Sequence, residues 1–99
     1  MFEITEGKGF KITFANGYTI SVQFGSNNYC SNYSSFTRFR SKVGKELQCC
    51  ANAEIEVWDE EGKWVTKKFF NVLDGDVASY ITPDEVAAVI AQIVALPER

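Results

Sequence analysis

The last fifth of the chain constrains the fold most. Thr82-Pro83-Asp84-Glu85 reads as a helix start. Thr82 can cap, proline suits the first helical position, and Glu85 stands where a capping box needs it. The apolar spacing of Val86, Val89, Ile90, Ile93 and Val94 carries a helix to about Leu96, where Pro97 stops it. Ala87, Ala91 and Ala95 line a neighbouring stripe, and from Val86 to Leu96 only Gln92 is polar. Such a helix needs an apolar surface to cover. Its apolar arc is wider than one sheet face requires, which leaves part of it for contact with another chain, including a second copy in a homo-oligomer.

The surface it covers is written upstream as alternating strands. Phe10–Phe14 and Tyr18–Val22 both alternate, with Asn16-Gly17 between them. A two-residue turn at Asn-Gly is the common reading, but it would set Phe14 against Thr19 and Ile12 against Ser21. A three-residue loop, Ala15-Asn16-Gly17, sets Phe14 against Tyr18, Ile12 against Ile20 and Phe10 against Val22. A one-residue slip flips every side chain, so the apolar pattern selects the three-residue loop. Gly17 then takes its left-handed position. The same rule predicts a second hairpin with the loop Glu60-Glu61-Gly62 between Ala53–Trp58 and Lys63–Phe69. It pairs Val57 with Val65, Ala53 with Phe69 and Trp58 with Trp64, and leaves Lys67 against Ile55 as a misfit. Val77–Ile81 reads as a short strand leading into the helix. The expectation is one α+β domain over residues 1–99: an antiparallel sheet of about four or five strands built from hairpins, with the C-terminal helix on one face.

The 99 residues are 45% hydrophobic and 23% charged, an ordinary globular balance. No apolar run is long enough to span a membrane. The opening Met1-Phe2-Glu3-Ile4 lacks the basic start and apolar core of a secretion signal, giving the expectation of a cytoplasmic protein. There is no histidine, which removes the commonest general base and metal ligand. The three cysteines, Cys30, Cys49 and Cys50, form no C-x-x-C pair, so neither a structural zinc site nor any other cofactor is expected. Asp74-Gly75-Asp76 reads as a turn, since the further ligands of a calcium loop are missing. The carboxylates Glu54, Glu56, Asp59, Glu60 and Glu61 fall on alternating strand positions and a hairpin tip, where they read as solvated. No catalytic constellation emerges, and the chain is expected not to be an enzyme.

The net charge of −3 is unevenly placed. Gly25–Leu47 carries Arg38, Arg40, Lys42 and Lys45 against Glu46, whereas Gln48–Arg99 holds ten acids and four bases. An acidic body with one basic segment argues against general nucleic-acid binding. The segment from Gly25 to about Gln48 is long for a connection in so small a domain, and long ordered loops are often functional. Within it, Asn28, Tyr29, Tyr33, Arg38 and Arg40 combine amide, aromatic and guanidinium groups, the composition of an adaptable recognition surface. The same groups suit a nucleotide, with a base stacked on a ring and a phosphate gripped by arginine.

Several stretches resemble a group of small proteins from tailed bacteriophages and prophages. They are Gly7-Lys8-Gly9-Phe10, Phe14-Ala15-Asn16-Gly17, Ser21-Val22-Gln23-Phe24-Gly25, Asn28-Tyr29-Cys30, Ala53-Glu54 with Val57-Trp58, and Thr82-Pro83-Asp84-Glu85-Val86-Ala87. The resemblance implies a phage-type origin and a setting inside a host cell. It supplies no catalytic or binding residue. Small phage accessory proteins commonly inhibit host machinery, including CRISPR and nucleotide-signalling defences. The expectation is therefore a non-catalytic accessory protein that binds and inhibits a host protein through Asn27–Arg40. Its rivals are a nucleotide-sequestering anti-defence protein and a virion structural or assembly component.

Overall fold

A computed structural model describes residues 1–5, 8–24, 50–72 and 76–97. The strands are β1 (Phe2–Ile4), β2 (Gly9–Thr13), β3 (Thr19–Gln23), β4 (Ala53–Trp58) and β5 (Ala78–Ile81), followed by helix α1 (Pro83–Val94). All five lie in one sheet in the order β1-β2-β3-β4-β5, each antiparallel to its neighbour. The α+β architecture read from the sequence is the one observed.

Register sorts the side chains into rows. On the helix side, Phe2, Ile12, Ile20 and Val57 stand across from one another, as do Ile4, Phe10, Val22, Ile55 and Ala78. Ile20, Ile55 and Val57 are completely buried there, together with Ile93 from α1. The opposite side carries Glu3, Lys11, Ser21 and Glu56 in one row and Thr13, Thr19 and Trp58 in the next. Here the indole of Trp58 lies 5.5 Å from that of Trp64, and the Lys11 ammonium sits 5.8 Å from the Trp58 ring.

The first hairpin has the three-residue loop that the apolar pattern selects. Phe10 pairs with Val22 and Ile12 with Ile20, Phe14 N donates to Tyr18 O at 2.9 Å, and Gly17 sits at φ 95°. The Asn16 side chain does more than turn the chain. Its Nδ2 donates to the carbonyls of Ile93 (2.8 Å) and Leu96 (3.0 Å), and its Oδ1 accepts from Tyr18 N. The side chain thereby clamps the C-terminal end of α1, where the Ile93 carbonyl also accepts from Leu96 N at 3.0 Å.

The second hairpin keeps the predicted loop but not the predicted strand. Gly62 sits at φ 83°, Trp58 bridges Trp64 and Val65 N donates to Val57 O at 2.8 Å. The chain then turns into a 3-10 segment, Thr66–Lys68. The fully buried Thr66 is the cause: its hydroxyl accepts from Val57 N at 3.0 Å, in place of the next strand carbonyl. Leaving the sheet at Thr66 keeps Lys67 and Lys68 in solvent and removes the Lys67–Ile55 misfit. Ala53 pairs with Ile81 rather than Phe69, Ile55 pairs with Ala78 rather than Lys67, and an irregularity lies between them. Tyr80, in that stretch, takes the left-handed φ of 57°. The fifth strand is β1, absent from the hairpin reading.

Helix α1 begins as read. Thr82 Oγ1 accepts from Glu85 N at 3.2 Å, and Thr82 N donates to Glu85 Oε1 at 2.8 Å. These bonds from the Thr82 backbone and hydroxyl hold the Glu85 carboxyl below the usual carboxylate range. Thr82→Ala removes half of this box and should cost about 1 kcal/mol, read as a lower urea midpoint with an unchanged slope.

Candidate binding groove

The helix begins one residue after β5 and crosses the sheet towards the Asn16 loop. Val89 and Ile93 reach the core, while Val86 and Ile90 are only partly covered. Beneath this first half of the helix, the floor residues include Ala53, whose methyl fills little space. The result is a groove of about 410 Å³. Phe10, Val22 and Ala53 come from the sheet, and Val86, Ala87 and Ile90 from the helix. Phe24, Cys50, Asn52, Ile81 and Pro83 complete the lining. The volume and apolar lining are those of a binding cleft.

The groove is not isolated. Phe10 stands across from Ile4, and Phe2 and Ile4 are 81% and 82% exposed. Among the described residues, the helix covers the middle strands, and Phe2 and Ile4 on β1 stay exposed. Register thus sets the exposed Phe2 and Ile4 beside Ile12 and Phe10, and Phe10 lines the groove. On the helix, Ala87, Ala91 and Ala95 are exposed, and so is Val94. Patches of this kind mark interaction surfaces more often than chance exposure does.

The recognition residues read from the sequence, Asn28, Tyr29, Tyr33, Arg38 and Arg40, lie outside the described residues, as do Cys30 and Cys49. The chain enters that stretch at Phe24 and leaves it at Cys50, and both line the groove. Cys50 is half-buried. Sequence reasoning found Ala87 and the wide helix arc but not the exposed β1 side chains. Phe2 and Ile4 sit in an alternating Met1–Thr5 stretch too short to stand out.

The opposite face of the sheet is polar and shallow. Gln23 accepts from the Thr5 hydroxyl at 2.9 Å and donates to Ser21 Oγ at 3.1 Å. Lys11 lies 3.8 Å from Glu3. Burial, then the nearby charges of Glu54 and Asp76, push the Glu56 carboxyl above its ordinary range. The unfolded chain thus gives up this proton at lower pH than the folded chain. The stabilising contribution is complete below the unfolded pKa and is lost as pH rises through the folded one. Glu56→Gln should therefore raise the melting temperature at neutral pH, with the gain shrinking in acid, as paired thermal melts would show.

Among the described residues, no cluster of three His, Cys, Asp or Glu is placed to hold a metal ion. No helix among them is long and apolar enough to cross a membrane. Comparisons with protein-family models, curated proteins and solved structures give no match to this chain.

Proposed function

We propose that this chain is a non-catalytic phage-type accessory protein that binds and inhibits a host protein, a component of a defence system such as CRISPR being one such target. The observation that carries this reading is the apolar groove under α1, lined by Phe10, with the exposed Phe2 and Ile4 on the neighbouring strand. Its apolar character favours a protein surface over a nucleotide, which needs phosphate-binding donors. The Asn27–Arg40 segment, whose flanking Phe24 and Cys50 line this groove, supplies cations for steering an acidic partner.

The test is capture from infected cells with the tagged chain, followed by mass spectrometry of both proteins and small molecules. The proposal expects a host protein that is absent from the capture with the Arg38→Ala and Arg40→Ala double variant and whose retention falls with salt. A retained nucleotide would support the sequestering reading instead. Recovery with purified particles would support the virion reading.

A further inference from the structure

Asn16-Gly17 is the one Asn-Gly step in the chain; the other asparagines precede Asn, Tyr, Ala or Val. This dipeptide has its own chemistry. The backbone nitrogen of the following residue can attack the asparagine Cγ, and a glycine there presents no Cβ to obstruct the approach. The new N–Cγ bond closes a succinimide, the proton of the attacking nitrogen passes to solvent base, and the side-chain nitrogen leaves as ammonia. Water then opens the ring at either carbonyl, giving an aspartyl or an isoaspartyl residue. The net change is water in and ammonia out, and water is the only co-reactant.

The fold opposes each part of this reaction. The attacking group, Gly17 N–H, donates to Phe14 O at 2.9 Å. The leaving group, Asn16 Nδ2, is held by the carbonyls of Ile93 and Leu96 at 2.8 and 3.0 Å. Oδ1 is fixed by Tyr18 N at 3.2 Å, and the residue is 8% exposed. Cγ cannot swing onto the nitrogen until the contact between loop and helix opens, so the rate follows the open population.

The product cannot re-form that contact. A carboxylate has no hydrogen to donate, so it would face two carbonyl oxygens at the negative end of α1. The isoaspartyl form also adds a backbone atom to a loop whose length sets the sheet register. We propose that Asn16-Gly17 is a fold-guarded deamidation site: opening of the loop–helix contact exposes it, and its conversion undocks the end of α1 irreversibly. The step would record unfolding as a covalent change and limit the working life of the chain.

The test uses the full-length wild-type protein, kept warm in mildly alkaline buffer with and without denaturing urea and sampled by peptide mapping. In urea, position 16 should convert faster than the other asparagines. In native buffer it should convert at least roughly tenfold more slowly than in urea, equivalent to about 1.4 kcal/mol of opening. Converted chains, separated by charge and returned to native buffer, should melt below the unmodified protein, as should the Asn16→Asp variant. Equal conversion rates in the two buffers would overturn the guarding. Converted chains that melt with the unmodified protein would overturn the undocking.

Discussion

Ile93→Ala should lower the unfolding free energy by about 2–5 kcal/mol, the range for emptying a well-packed aliphatic site. Ile93 is completely buried and belongs to one cluster with Ile20, Ile55 and Val57. Its carbonyl also accepts from the Asn16 amide, so the residue joins the helix to both the sheet and the first loop. A shortened side chain leaves a cavity that neither β3 nor β4 can close without breaking register. Val94, the next residue, is 55% exposed, and Val94→Ala should change stability by only a few tenths of a kcal/mol. Urea titrations of the two variants make the comparison. Similar midpoints for both would mean that α1 is not packed with Ile93 inward.

Gly9→Ala should cost about 1–3 kcal/mol, the range for forced overpacking, with the upper end expected because the obstacle is backbone. A Cβ at position 9 would lie 2.1 Å from Val22 O and 2.9 Å from Gln23 Cα. Side chains can rotate away from such a contact, but a paired strand cannot. Gly9 stands across from Gln23 in the β2–β3 ladder, and the neighbouring bond from Phe24 N to Lys8 O is 2.8 Å. Relief requires β2 to move off β3, which would also displace Phe10 at the groove. The variant should therefore melt several degrees lower and lose partner binding together with stability. A melting temperature equal to wild type would show that β2 and β3 do not approach so closely.

Much of the fold is legible because two local signals agree with the global pattern. Register around Asn16-Gly17 admits one loop length that gathers the apolar residues, and the Thr82–Glu85 box fixes the helix start. The strand expected at Lys63–Phe69 failed because its deciding feature is a tertiary one. Thr66 looks like an ordinary strand residue until its hydroxyl is seen bonding Val57. Asn16 is a similar case, since sequence shows a turn former and only the fold shows a clamp on the helix end. The exposed Ala87 stripe of the helix was legible, but the groove's sheet side draws Phe10, Val22 and Ala53 from three strands and could not be read from any one segment.

The affinity of the captured host partner for Ala87→Arg decides whether the groove is the interface. Ala87 lines the groove and is exposed, so the change should leave the melting temperature nearly unaltered while placing a long charged side chain at the entrance. Binding should be about tenfold weaker, or about 1.4 kcal/mol, at unchanged thermal stability. Wild-type affinity in a variant that melts normally would contradict it and remove the groove from the interface.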